Sequence, residues 1–164
     1  MKKLSLKEYI LYSAIIVGGI LIDQITKILS TIYLEPVDTV PIIKGVLHLT
    51  YVMNKGAAFG MLANHRWVFM IISTIAIIAM TVFLYIGKAP TKLYGISLSM
   101  IISGGIGNMI DRTILGYVVD FIDFRIINFA VFNGADSFVC VGAALMIFAL
   151  ILDIIKEAGA KKKK

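Results

Sequence analysis

Uncharged apolar residues gather into four long runs along the chain. Residues 9–22 are fourteen uncharged positions, and continuing past Asp23 and Lys27 to Leu34 makes that segment long enough to span a bilayer. Residues 67–86 supply twenty such positions, residues 93–110 eighteen, and residues 137–152 sixteen. At about 1.5 Å per helical residue, twenty residues cross a hydrocarbon layer roughly 30 Å thick. The pattern therefore predicts a single membrane domain with transmembrane helices over about 9–34, 66–87, 92–112 and 136–156.

The two long connections, 35–65 and 113–135, carry a different pattern. Residues 46–53 alternate and are rich in β-branched and aromatic side chains, and residues 117–124 and 126–132 read the same way. Gly116 and Asn133-Gly134 punctuate them. The expected fold is an all-α integral membrane protein, four transmembrane helices with a small extracytoplasmic β-platform.

Composition agrees with that picture. Of 164 residues 59% are hydrophobic and 16% charged, with a mean hydropathy of +0.92. A soluble domain is about 45–50% apolar and about 25% charged, so too few polar residues exist to coat a water-facing surface. The net charge of +6 does not point to nucleic acid. Lys2, Lys3 and Lys7 precede the first span, Lys88 and Lys92 flank the turn between the second and third, and Lys156 and Lys161 to Lys164 follow the fourth. With an even number of spans these groups fall on one side, which the positive-inside rule makes the cytoplasm. The N-terminus has the basic-then-apolar order of a signal peptide. No small-x-small cleavage site follows, and Asp23 to Lys27 interrupt the run, so a retained span is expected.

The acidic residues are unevenly placed. Asp111, Asp120, Asp123 and Asp136 cluster where the third and fourth spans meet the outer surface, and Asp23 joins them from the first. A zinc protease needs histidines one helical turn apart, but His48 and His65 are the only two and are far apart. Ser99 and Ser103 lie in the third span with no Lys or His at matching depth to serve as base. Cys140 is the single cysteine and has no evident partner. Carboxylates remain. Two held close cannot both ionise, so one serves as base and the other as acid at the same pH.

Structural readings of the same residues stand beside the chemical one. Asp136 precedes an apolar run and suits a helix N-cap. Asp111 and Arg112 suit an interfacial ion pair, and Asn54, Asn108 and Asn133 suit turns or caps. The glycines between Ser103 and Gly107 suit close helix packing, while His48 and His65 suit the surface. Asp120, amid apolar β-formers, needs a partner. Residue chemistry alone does not choose between Asp111 and Asp120 as the mate of Asp136. An Arg112 clamp on Asp111 disfavours proton sharing there and leans toward Asp120.

Five blocks, in order along nearly the whole chain, resemble the bacterial lipoprotein signal peptidases, the signal peptidase II family. They are Asp23-Gln24-Ile25-Thr26-Lys27; Asn54-Lys55-Gly56-Ala57-Ala58-Phe59-Gly60; Gly104-Gly105-Ile106-Gly107-Asn108-Met109-Ile110-Asp111-Arg112; Gly116-Tyr117-Val118-Val119-Asp120-Phe121; and Phe132-Asn133-Gly134-Ala135-Asp136-Ser137. One departure is Gly134, where the family usually carries a branched apolar residue.

The resemblance implies an intramembrane aspartyl endopeptidase of the bacterial cytoplasmic membrane, with both termini cytoplasmic and the site near the outer face. It implies cutting of diacylglyceryl-modified prolipoproteins just before the lipidated cysteine. Carried over by motif, the catalytic pair is Asp120 and Asp136. Asp23, Lys27, Asn54, Gly56, Asn108, Asp111, Arg112, Asn133 and Ala135 shape the site or contact substrate. No metal or cofactor is implied. The partners expected are the lipidated precursor and membrane lipids, with the enzyme a monomer and no nucleic acid. The alternative is a small ion- or proton-coupled transporter, since intramembrane carboxylates also mark ion pathways.

Overall fold

A computed structural model describes residues 4–56, 66–127 and 129–161. Four helices in it are long and apolar enough to cross a membrane. They are α1 (Leu6–Tyr33), α2 (Arg66–Tyr85), α3 (Lys92–Ile114) and α4 (Gly134–Lys161). Ser5 starts α1 with a capping box, its hydroxyl accepting from Glu8 N at 3.3 Å while Ser5 N donates to the Glu8 carboxylate at 2.8 Å. Thr91 caps α3.

α3 is the central helix, packed on α1, α2 and α4. Tyr12, Ile16, Leu84, Leu98 and Ile102 form the buried core. Ile71, Ile72, Ile75 and Ile78 of α2, and Ile147, Phe148, Ile151 and Ile155 of α4, point outward. Such apolar exteriors are stable only in a non-aqueous solvent, which is how a bilayer-embedded bundle differs from a soluble one. Glycine lets the helices approach. A Cβ on Gly104 would strike the Ala135 carbonyl of α4, and one on Gly107 would strike the Asp23 carboxylate of α1.

At the end of the bundle where α1 and α3 finish and α4 begins lies an antiparallel sheet of order β1-β2-β3. Its strands are β1 (Thr39–Ile43), β2 (Leu47–Asn54) and β3 (Val118–Phe124). β2 and β3 match the strand pattern read from residues 46–53 and 117–124. β1 was not anticipated. It is a short edge strand containing Pro41, a residue that weakens any strand signal and is tolerated only where no ladder donor is needed.

Among the described residues of 126–132 the expected strand does not form. Arg125–Ile127 is a single 3-10 turn, and of the described residues that follow it Phe132 alone joins the sheet, through an isolated bridge to Ile122. A covalent neighbour of β3 cannot double back beside it without a turn, and the apolar run serves as that return. His48 also departs from expectation: it is buried in β2, its Nε2 accepting from Gly45 N at 3.2 Å. Cys140 is exposed on α4. His65 lies outside the described residues, as do Ala57 to Gly60 of the second block.

Candidate active site

Helical periodicity prepares one face of α1 and one of α3. Asp23 and Lys27 are one turn apart on α1, and Gly104, Gly107, Asn108 and Asp111 recur at three- and four-residue spacing on α3. Where the faces meet, the Lys27 ammonium lies 2.9 Å from Asp23 Oδ2, 3.1 Å from Asp111 Oδ2 and 3.0 Å from Asn108 Oδ1. All three residues of this Asp–Lys–Asp cluster are buried, so each charge needs its partners. Gln24 completes the set, its amide donating to Asp111 Oδ1 at 3.0 Å and Asp23 Oδ2 at 3.2 Å. Sequence reasoning passed over Gln24; an uncharged polar residue between Asp23 and Lys27 in an apolar run was the available signal.

The expected ion pair between Asp111 and Arg112 is not what forms. Successive helical residues diverge by about 100°, so Asp111 turns to α1 while Arg112 turns away. The Arg112 guanidinium donates to the carbonyls of Asn108 and Gly56, each at 3.3 Å, and stacks over the Phe69 ring of α2 at 4.8 Å.

Asp120 is brought in by β3. Asn54 pairs with Val118, so the side chains of Asn54 and Asp120 are diagonal neighbours on one face of the sheet. Asn54 Nδ2 donates to Asp120 Oδ2 at 2.9 Å, and Asn133 Nδ2 donates to Asp120 Oδ1 at 2.6 Å. Gly56 N in turn donates to Asn54 Oδ1 at 3.0 Å, fixing that amide. Burial, at 2% exposure, pushes the Asp120 carboxyl up to about 6. The charge of Asp136 adds to the rise, while the amides of Asn54 and Asn133 and the Lys27 ammonium oppose it.

Asp136 is the third residue of α4, not its cap. The cap is Asn133, whose Oδ1 accepts from Asp136 N at 2.9 Å while Asp136 Oδ2 accepts from Asn133 N at 3.2 Å. This reciprocal pairing is a capping box with aspartate in the returning position. Asp136 Oδ1 accepts from Asn108 Nδ2 at 2.8 Å. Asn133, fully buried, thus bonds to both carboxyl groups and ties the start of α4 to β3.

The ion cluster reaches the same two carboxyls through their neighbours. Asp23 Oδ1 accepts from Ala135 N at 2.8 Å, Asp111 Oδ2 accepts from Val119 N at 3.1 Å, and Lys27 holds Asn108. Gly134 leaves ordinary contact distance for a Cβ, 3.5 Å from Asp23 Oδ1. Asp123 stands apart. Burial opposes its ionisation, but hydrogen bonds from Arg125 and Thr50 hold its carboxyl below the ordinary range.

Two largely apolar cavities meet at Asn108, Arg112, Asp136 and Val139. One, of about 480 Å³, is also lined by Asp120, Asn54, Phe129 and Phe132; the other, of about 450 Å³, by Phe69, Met80, Ile101 and Gly105. Paired carboxyls at such a junction can polarise one water against a carbonyl and supply both proton transfers of amide hydrolysis.

A family model described as signal peptidase (SPase) II matches residues 15–152. The chain is 48% identical over 132 residues to the lipoprotein signal peptidase of Caldanaerobacter subterraneus subsp. tengcongensis, covering 80% of this chain and 90% of that one. It is 47% identical over 147 residues to the lipoprotein signal peptidase of Clostridioides difficile, covering 87% and 97%. A bacterial membrane enzyme structure obtained by the in meso method at 2.3 Å resolution superposes with a TM-score of 0.83 at 35% identity, over 93% of each chain.

Proposed function

The chain belongs to the signal peptidase II family, and from that membership we propose that Asp120 and Asp136 are the catalytic pair of this aspartic endopeptidase. Its reaction is the removal of signal peptides from prolipoproteins, which sets aside the transporter reading of the clustered aspartates. The observation that carries the assignment is Asn133, which bonds to both carboxyls where they line one cavity.

The scissile bond is the one just before a diacylglyceryl-modified cysteine. At that depth water is scarce, and the pair holds and orients a single molecule between carboxyl groups. Asp23, Lys27, Gln24, Asp111 and Ala135 act behind the pair as its support. Asn54, Asn108 and Arg112 line the space the substrate enters, and Gly56 and Asn133 hold those side chains from behind. The two apolar cavities meeting at Asp136 suit a lipid and a signal segment that must converge on one bond. One chain supplies both carboxyls, which supports action as a monomer.

The molecule is a multi-pass bacterial membrane protein. Lys7, Lys88, Lys92 and Lys156 support cytoplasmic termini. Tyr9 OH donates to Tyr85 O at 3.1 Å, so the start of α1 adjoins the end of α2, at the opposite end of the bundle from the sheet. In this orientation the catalytic pair sits near the outer face of the membrane.

The test is incubation of the purified chain with a lipidated prolipoprotein, reading a mass loss equal to the signal peptide. Asp120→Asn and Asp136→Asn should each abolish that loss while the protein still folds and inserts. Asp123→Asn should act mildly, because Asp123 bonds to Arg125 and Thr50 away from the cavities. Near-normal turnover by either of the first two would overturn the assignment.

A further inference from the structure

A further cavity, of about 250 Å³, shares no lining residue with the two that meet at Asp136. Val119 lines it, whereas Val118 and Asp120 line the cavity of the pair. Successive residues of a strand point to opposite faces of the sheet, so the two spaces lie on opposite faces of β3.

Its walls are of two kinds. Gln24, Lys27 and Thr31 recur at three- and four-residue spacing on α1 and, with Asp111 and Tyr117, form a polar floor. Ile28, Ile32 and Leu115 also line the space and are exposed, which places the apolar phase of the bilayer at its mouth. The charges in the floor are already matched. Lys27 bonds to Asp23, Asp111 and Asn108, and Asp111 accepts from Gln24 and Val119 N as well. Two carboxylates against one ammonium make this floor unfavourable for an anion.

What remains available is neutral. Gln24 uses its Nε2 on Asp23, Gly107 and Asp111, which leaves Oε1 as an acceptor. Thr31 donates its hydroxyl to the Lys27 carbonyl at 3.0 Å, so its oxygen can still accept. The Tyr51 hydroxyl faces Thr31 and Tyr117 and is buried without a hydrogen bond of ordinary length and angle. Water would satisfy this floor but not the apolar mouth. An amphiphile satisfies both.

We propose that this cavity binds the head of a neutral glycerolipid, one that carries free hydroxyls and no phosphate, with its acyl chain along Ile28 and Ile32. The head bonds to Gln24 Oε1 and to the hydroxyls of Thr31, Tyr51 and Tyr117, in a space with room for several waters. Lys27 and Asp111 belong both to this floor and to the support behind the pair, so the bound head touches that support from the face away from substrate.

The test is photolabelling of the full chain in lipid nanodiscs with a monoacylglycerol that carries a diazirine beside its ester, followed by peptide mapping. Label should fall on residues 24–32 and 111–119, saturate with dose, and be displaced by unlabelled monoacylglycerol. The lysophosphatidate with the same chain and diazirine should label those segments at least ~5-fold less. Thr31→Trp, which fills the cavity, should cut the monoacylglycerol label at least ~5-fold in protein that thermal unfolding shows to be folded. The comparison of the two probes needs no variant. Equal labelling by both, label spread without saturation over the membrane-facing helices, or full label on folded Thr31→Trp would each overturn the site. None of these outcomes depends on which carboxyls are catalytic, so the cleavage assay succeeds or fails separately.

Discussion

The Lys27 ammonium donates to the Asn108 side-chain oxygen at 3.0 Å, and this contact dictates which end of that amide meets Asp136. Lys27 has three N–H donors, and Asp23, Asp111 and Asn108 occupy them, so none remains for substrate. Lys27→Met should therefore lower kcat at least ~10-fold with KM little changed, the signature of lost positioning. It also leaves two buried carboxylates facing each other, and breaking such a pair costs about 3–5 kcal/mol. Kinetics of the folded fraction, scored by thermal unfolding, separate the effects. A large rise in KM at constant kcat would mean that Lys27 touches substrate.

The activity should be bell-shaped in pH. A carboxyl lifted from 3.8 to about 6 favours the folded state while protonated, so its stabilising effect is fully present below 3.8 and is lost as the pH rises through about 6. The one-proton form of the pair is lost over the same rise, which places the alkaline limb of kcat/KM near 6. Asn54 donates to Asp120 and holds its value down, so Asn54→Leu should move that limb to higher pH. A limb that stays put or moves down would contradict the assignment of that limb to Asp120.

The substrate lipid should act as a ruler. Each buried methylene contributes roughly 0.8 kcal/mol, but most of this is available in the bare bilayer as well. The lipid's specific effect is then to place the scissile bond over the pair, and its loss should lower turnover more than apparent binding. One precursor peptide, with and without its diacylglyceryl group, decides the matter in reconstituted enzyme. Equal turnover would sink the idea and leave the aspartyl chemistry intact.

Topology can be read with a reporter active only outside the cytoplasm. Fusions near Asp38 or Phe124 should be active, and fusions at Ala89 or after Lys161 silent. Activity at Ala89 would reverse the orientation.

Chelators should leave the rate unchanged. Asp23 and Asp111 already share the Lys27 cation, and amides bond to both members of the pair. Recovery of a chelated enzyme on adding a divalent ion would point to a metal hydrolase instead.

The spans were legible because a bilayer imposes one length and one composition on every helix that crosses it, as residues 67–86 display most simply. β2 and β3 were legible from alternation. β1 was not, because a five-residue edge strand with a proline carries almost no periodic signal. The apolar run after β3 misled for the opposite reason: β-branched residues favour a strand, but the chain must reverse there to deliver Phe132 and Asn133. Partners were harder to read than elements. Adjacency suggested Arg112 for Asp111, whereas the helix turns them apart and Lys27 arrives from 84 residues earlier. The roles of Asn54, Asn108 and Asn133 were carried by family resemblance alone, since an asparagine looks alike in a loop and in a site.

The bond from Ala135 N to Asp23 Oδ1 joins residues 112 apart, and it bears on how the protein is made. Asp120 leaves the ribosome before Asp136, and neither has its full set of donors until α4 has entered beside α1 and α3. A nascent chain with three helices inserted holds Asp23, Lys27 and Asp111 but no second carboxyl for Asp120. The proposed pair is therefore complete only once α4 is in place, and a chain with three helices inserted should lack proteolytic activity.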